Sequence, residues 1–457
     1  MGAPSDTIAA IATAWGEAGI AIVRLSGASA AEAAGAVLRF GGGAEFPPPR
    51  VMCLASLTDE GGRVIDRVLA VYFRAPRSYT GEDVVEIHTH GGTLAAQLCL
   101  ESLFRRGVRL ADPGEFTKRA FLNGRIDLSQ SESVLGIIRS RSAEALRAAA
   151  RTLSGELSSF AGGIREDLLE LQSSLEVGLD FPEEGLPYRS AEDLLGSVST
   201  LKLSLEDLLD RCSVGLLLRE GIRVALTGRP NVGKSSLLNA LLKQSRAIVT
   251  ALPGTTRDVI EESITYRGVP IRLVDTAGLR SPADEIEASG IARTRAELKR
   301  SDVCLWLLDG SLPLDDEELS YIEQLRDKDH IVVLNKADLT PAVTEDTIRA
   351  LSPESPVLSL SSKTGSGLDL LKDAILSLTT DSGALDAGLN VTARQLGEVR
   401  DALSAIAEAE TAIADGLGQD AAASLIAAAR LCLERLLGLR CDDALLDSVF
   451  SRFCVGK

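Results

Sequence analysis

The chain has 457 residues, 45% hydrophobic and 25% charged, and its 65 acidic side chains outnumber 48 basic ones for a net charge of −17. That length allows two to four domains, while the acid excess excludes a chain-wide basic footprint for nucleic acid and an aromatic content of 4% argues against base-stacking modules. No run approaches the roughly 18 apolar residues of a membrane span, the N-terminus lacks the order of a secretory signal, and seven scattered cysteines without a CxxC pair suit a reducing, cytoplasmic setting.

Residues 1–125 carry 13 bases and 13 acids and read as mixed α/β. Strand-like runs at 19–25, 68–73 and 84–88 surround an Ala-rich helical stretch, and Pro47, Pro48 and Pro49 mark a loop. His88 and His90 alternate along the last of these strands, and with three histidines in the whole chain they read as structural rather than as a metal or hydrolase site. Residues 126–218, with 8 bases and 16 acids, space apolar side chains by three and four at Leu168, Leu171 and Leu175 and again at Leu194, Val198, Leu201 and Leu205, which predicts helices. Residues 219–380 alternate short β-branched runs with amphipathic stretches, the pattern of a doubly wound parallel sheet. Residues 381–457 return to Ala- and Leu-rich helix without proline. Similar helical composition on both sides of an α/β block predicts one helical domain interrupted by an insertion, with two separate helical domains as the alternative. The expected division is an N-terminal domain 1–123, helical segments 124–218 and 381–457, and an inserted domain 219–380.

The strongest chemistry lies in that insertion. An apolar strand, Ile222 to Thr227, runs into Gly228-Arg229-Pro230-Asn231-Val232-Gly233-Lys234-Ser235, a complete G-x4-G-K-S opening a helix through Leu237, Leu238 and Leu241. In a P-loop the backbone folds its N–H groups around phosphates, so Asn231, Val232, Gly233, Lys234, Ser235 and Ser236 are candidate nucleotide contacts. Lys234 reaches the β- and γ-oxygens as a point charge, and the Ser235 hydroxyl can ligate Mg²⁺. A glycine-rich turn that merely caps a helix explains neither the lysine nor its spacing.

Downstream order selects the base. Asp275-Thr276-Ala277-Gly278 follows a strand at 271–274, so Asp275 can hold Mg²⁺ through water and Gly278 can offer its N–H to the γ-phosphate. Asn335-Lys336-Ala337-Asp338 follows a strand at 331–334, and a carboxylate at Asp338 can accept both N–H donors of guanine where adenine offers none. Ser361-Ser362-Lys363, after a strand at 357–360, reads as the supporting base loop. Between P-loop and Asp275, Gly254-Thr255-Thr256-Arg257-Asp258 reads as a switch loop with Thr256 a second hydroxyl ligand to Mg²⁺. The position after Gly278, where many signalling GTPases place a water-orienting glutamine, is Leu279, so catalysis must recruit another group. Asp284, Glu285 and Glu287 are equivalent candidates on spacing alone, each equally readable as a solvated acid at a helix start.

The order of these motifs, the helical flanks and the C-terminal Phe453-Cys454-Val455-Gly456-Lys457 together resemble the bacterial and organellar tRNA-modification GTPase family MnmE, also called TrmE. Tyr79-Thr80-Gly81-Glu82-Asp83, Pro113-Gly114-Glu115-Phe116, Arg119-Ala120-Phe121-Leu122-Asn123 and Asp180-Phe181-Pro182-Glu183-Glu184 extend the resemblance over essentially the whole chain. It implies a multidomain fold: an α/β folate-binding, aminomethyltransferase-like N-terminal domain, an all-α helical domain from two chain segments, and an inserted Ras-like P-loop GTPase domain. It also implies a homodimer formed through N-terminal domains and a partner flavoprotein, MnmG, in an expected heterotetramer. The implied reaction installs a (carboxymethyl)aminomethyl group at carbon 5 of the wobble uridine of certain tRNAs, with a one-carbon unit from tetrahydrofolate in its 5,10-methylene or 5-formyl form.

The resemblance further implies a K⁺ ion in place of an arginine finger, ligated by Asn231, Thr250, Thr255 and the Leu252 carbonyl, and assigns the water-orienting role to Glu287. Folate contacts transfer onto Arg24, Glu86, Arg125 and Lys457; the family commonly carries lysine where Arg125 stands. Cys454 reads equally as a participant in the modification chemistry and as a small residue packed beside Phe450 and Phe453. A rival function from another class is a nucleotide switch that controls assembly of an RNA-containing complex such as the ribosome; no KH signature supports it. A folate-dependent methyltransferase with a vestigial G domain is disfavoured by the intact nucleotide motifs.

Overall fold

The computed structural model describes residues 6–41, 46, 48–180, 190–246, 262–275, 300–316, 318–319, 328–380, 385–417 and 419–457, without the side chains of 177–180, 245–246, 262 and 275. The chain forms two compact units, one built from Met1–Leu135, Leu153–Lys202 and Glu398–Lys457, the other from Gly136–Thr152 and Leu203–Gly397.

The first unit holds a seven-stranded sheet made of β1 (Ile8–Ile11), β2 (Ile20–Ser26), β3 (Leu38–Phe40), β4 (Cys53–Thr58), β5 (Val64–Phe73), β6 (Val84–His90) and β7 (Arg109–Leu110). Its order is β3-β4-β5-β6-β2-β1-β7, antiparallel except for β1 beside β7. Because side chains alternate across a strand, Val23 and Leu25, Val85 and Ile87, Val68 and Ala70 all enter one core with Ala30 and Ala34 of the helix Ala30–Val37 and Ala96 and Leu103 of Thr93–Phe104. The intervening residues must face the other way, and there Arg24 of β2 stands opposite Glu86 of β6 in register. The strand read from Val68 begins earlier, at Val64; its first four residues include Asp66 and Arg67 and none is buried, so they carry no apolar run.

Helical packing completes this unit. Leu157, Ala161, Ile164, Leu168, Leu171 and Leu175 form a buried stripe at helical spacing on Glu156–Asp180. The helix Gln419–Leu437 packs along it with Ala422, Ile426, Ala429 and Leu433 buried, the two alanines small enough to let the backbones approach and Ile426 and Leu433 filling the space between. A separate cluster joins Leu128 and Leu135 to Leu446, Val449, Phe450 and Phe453, so the last helix, Asp443–Phe450, is docked by its apolar face.

The second unit holds a six-stranded sheet of β8 (Ile222–Thr227), β9 (Glu262–Tyr266), β10 (Val269–Asp275), β11 (Val303–Asp309), β12 (His330–Asn335) and β13 (Val357–Ser359), in the order β13-β12-β11-β8-β10-β9. Every pairing is parallel except β9 with β10. Both faces are covered: Val224, Leu226, Leu305, Leu307, Ile331 and Val333 enter one core, while Ala225, Cys304, Trp306, Leu308, Val332 and Leu334 enter another. Burial on both sides is why β11 and β12 read as continuous apolar runs. In such a sheet ligands bind beyond the carboxyl ends of the strands, where β8, β10, β11 and β12 terminate. Among the described residues, no helix is long and apolar enough to cross a membrane.

Candidate functional site

At the carboxyl end of β8 the chain turns through Gly228 to Gly233 into the helix Lys234–Arg246. Asn231 has φ +68° and Gly233 φ +101°, left-handed conformations of the kind from which anion-binding backbone loops are built. A Cβ on Gly233 would stand 2.2 Å from the Asn335 side-chain nitrogen, and one on Gly228 2.3 Å from the Leu307 carbonyl, so the loop has room for glycine alone at both places. Lys234 is 7% exposed, and its Nζ donates to the Gly228 and Arg229 carbonyls at 2.7 and 2.6 Å. The lysine thus spans its own loop, while Asn231, Ser235 and Ser236 are exposed at the loop's surface. Val232 is buried and belongs to the core below.

Asn335, the last residue of β12, is buried and ties three loops together. Its Nδ2 donates to the Val232 carbonyl at 2.8 Å, and its Oδ1 accepts from the Ser362 N–H at 3.0 Å and the Ser362 hydroxyl at 2.9 Å. The phosphate loop, the Asn335–Asp338 loop and the Ser361–Lys363 loop are therefore one hydrogen-bonded body. Asp338 is exposed; Ser361 Oγ donates to its Oδ1 at 2.7 Å, and Lys363 Nζ stands 4.0 Å from Oδ2. The Ser361 hydroxyl, more than the neighbouring lysines, holds the Asp338 carboxyl below the ordinary aspartate value, so it is an anion ready to accept N–H donors.

Asp275 closes β10 and so lies at the carboxyl end of the strand beside β8, though its side chain is outside the described residues. Thr250, Leu252, Thr255, Thr256, Thr276, Ala277, Gly278, Leu279, Asp284, Glu285 and Glu287 also lie outside them.

The first unit gathers a second set. Arg24 donates from Nε to Glu86 Oε1 at 2.9 Å and lies 5.8 Å from the ring centres of Tyr79 and of the fully buried Phe116. Glu86 Oε2 is also 3.4 Å from His88 Nε2, whereas His90 pairs with Asp66 at 2.7 Å. The C-terminal tail reaches this patch because Phe116 N–H donates to the Lys457 carbonyl at 3.2 Å and Gly114 N–H to the Cys454 carbonyl at 3.4 Å. Gly456 has φ +97°, and a Cβ there would meet the Ile11 carbonyl at 2.3 Å. Burial, reinforced by like-charged Arg24, holds the half-buried Lys457 ammonium below the ordinary lysine value, against an opposing pull from Glu86 and Cys454. Cys454 is exposed. Arg125, also exposed, lies beside Gly81: a Cβ there would be 3.3 Å from the arginine Cγ. Tyr79 and Phe116, which the sequence offers only within longer motifs, are the aromatic bed of Arg24; their position one turn or one loop from the strands gives no local signal.

A glycine-lined phosphate loop with a buried lysine, bonded through one asparagine to the Ser361–Lys363 loop at the carboxyl ends of a doubly wound parallel sheet, is the arrangement of a P-loop guanine-nucleotide hydrolase. The family described as GTP-binding protein TrmE N-terminus matches residues 7–125, and the MnmE helical domain matches residues 128–454. The chain is 43% identical to the tRNA modification GTPase MnmE of Symbiobacterium thermophilum, 41% to that of Heliobacterium modesticaldum and 40% to that of Shouchella clausii, each over 99% of both chains. The chain belongs to the MnmE family. Among solved structures, the G domain of the T. maritima FeoB iron transporter is 32% identical over 35% of this chain and 99% of its own, with a TM-score of 0.27.

Proposed function

We propose that this protein is a cytoplasmic, potassium-stimulated GTP hydrolase that acts in tRNA modification with a flavoprotein partner, MnmG. In this reading it installs a (carboxymethyl)aminomethyl group at carbon 5 of the wobble uridine with a one-carbon unit from tetrahydrofolate. The observation that carries the GTPase part is the Asn335 side chain, which hydrogen-bonds the phosphate loop to the base loop. Family membership carries the tRNA part.

In this reading Asp338 accepts the two N–H donors of the guanine edge, and the Asn231–Ser236 backbone surrounds the phosphates. Lys234 exchanges the Gly228 and Arg229 carbonyls for β- and γ-oxygens, which places its charge where negative charge accumulates on bond breaking. The Ser235 hydroxyl, exposed at the helix start, suits a Mg²⁺ ligand, with Thr256 and Asp275 through water completing the set. Asn231, Thr250, Thr255 and the Leu252 carbonyl would hold K⁺, and Glu287 would orient the attacking water. When bound, the two cations supply charge neutralisation at the phosphates that no assigned arginine provides. The patch of Arg24, Glu86, Arg125 and Lys457 suits a folate, having a carboxylate for ring N–H donors and cations for an anionic tail; Cys454 stands beside it. G domains of a homodimer are the proposed site of cation-dependent closure.

GTP turnover by the whole protein should be several-fold faster in potassium than in sodium at equal ionic strength; equal rates would remove the potassium role. Mass analysis of wobble nucleosides from cells lacking the chain, with and without complementation, tests the tRNA reaction, and unchanged nucleosides would leave a GTPase without it.

A further inference from the structure

Two carboxylates, one at the end of β11 and one in the segment after it, are used by none of these roles. Asp309 ends the strand with its side chain 8% exposed, accepting from Lys336 Nζ at 2.5 Å, from the Ser311 hydroxyl at 2.6 Å and from the Ser311 N–H at 3.1 Å. Burial pushes its carboxyl up, but Lys336 and Ser311 outweigh burial and keep it below the ordinary aspartate value. Further along the same segment, Asp315 pairs with Arg229 of the phosphate loop. Between them, the Gly310 N–H donates to the Asn335 carbonyl at 2.9 Å, and the Gly310 carbonyl accepts from Ala342 at 2.8 Å. Lys336 itself has φ +65°, a left-handed backbone that a lysine does not favour unaided, so something must hold it there.

We propose that Asp309 is a positioning residue for guanine nucleotide: by fixing Lys336 it holds the base loop, while Asp315 gives the phosphate loop a second hold from the same segment. The proposal rests on the guanine-nucleotide reading of the site. Of the two holds Asp309 matters more, since both Arg229 and Asp315 are about 40% exposed and an ion pair so solvated contributes little. Asp309 acts through Lys336, so its loss should appear in nucleotide affinity and not in bond breaking.

The test is titration of the whole protein with GDP and with GTP, together with steady-state turnover. Asp309→Asn keeps an acceptor for Ser311 but removes the charge that holds Lys336. It should weaken GDP binding about tenfold and raise the KM for GTP by a similar factor, with kcat within about twofold. Inosine triphosphate should lose affinity by the same factor, because Asp338 still reads the base. Lys336→Met should reproduce the loss, and adding Asp309→Asn to it should cost nothing more. Affinity within twofold of the parent in Asp309→Asn, or a full further tenfold loss in the double variant, overturns the proposal. Should Asp309→Asn not fold, as judged by its thermal transition without nucleotide, Lys336→Met alone decides: unchanged GDP affinity there also overturns it. If the unaltered protein binds no guanine nucleotide, it is the reading of the site that falls.

Discussion

At the scale of single residues, the guanine site depends on side chains whose partners are few and identifiable. On the proposed reading Asp338 discriminates through its two acceptor oxygens, one of which the Ser361 hydroxyl orients by donating to it at 2.7 Å. Asp338→Asn replaces one acceptor by a donor, so GTP affinity should fall by about 100-fold, near the 3 kcal/mol upper range for a charged hydrogen bond, and xanthosine triphosphate should become the better ligand; competition binding would show it. Gly233→Ala would drive a methyl into the Asn335 amide, 2.2 Å away, at a φ of +101°. That variant should lose detectable GTP binding in the same titration. Lys234, Ser235, Asn335 and Asp338 were legible in the sequence because the phosphate and base loops are short, contiguous and follow apolar strands. Asp309 was not legible as a partner, although it ends an apolar run just as Asp275 does; its meaning lies in Lys336, 27 positions away.

At the scale of elements, the helix Glu115–Leu122 shows how a short segment becomes a fixed platform. Arg119 is fully buried and pairs with Asp6 at 2.7 Å, Glu115 at 2.9 Å and Glu82 at 3.2 Å, and Arg109 at the start of β7 grips Glu115 at 2.7 Å. Glu82 in turn accepts from Ser26 at 2.7 Å, which ties the Tyr79–Glu82 loop beneath Arg24 to β2. Arg119→Met leaves these carboxylates without their buried cation and should cost about 3 kcal/mol in a denaturant titration. The pH dependence has a definite sign. Burial raises the Glu115 carboxyl, but Arg109, the Asp112 N–H and Arg119 outweigh it, and the net value lies below the ordinary 4.5; Asp6 likewise lies below 3.8. A carboxylate whose folded value is lowered stabilises fully above its unfolded value, so this contribution should be intact above about pH 5 and vanish as pH falls through and below about 4. Arg119→Met should flatten that acid limb, and an unflattened limb would place the acid sensitivity elsewhere. The sequence showed Glu115 and Arg119 only as parts of motifs, since Glu82 and Asp6 lie 37 and 113 positions from Arg119.

At the scale of the whole molecule, charge and thiol chemistry are unevenly distributed. Residues 1–125 are neutral while 126–218 carry twice as many acids as bases. Cross-links from bound tRNA are therefore expected in 1–125, with an affinity that falls as salt rises, and cross-links concentrated in 126–218 would contradict that placement. Composition marks where sheet and helix alternate, but the grouping of 136–152 with 203–397 depends on packing such as Ala145 and Ala148 with Val214 and Leu218, which no local pattern announces. Burial pushes the thiols of Cys99, Cys212 and Cys304 up to about 12, and Cys432 is raised by the same cause; Cys53 and Cys441 are half-buried, and Cys454 is exposed. Since the thiolate is what attacks an electrophile, a limiting dose of maleimide at neutral pH should modify the native chain at one point, within the C-terminal tail. A fluorophore can thus be placed beside the Arg24 patch without altering a residue, and its emission would report directly on whatever anion enters there.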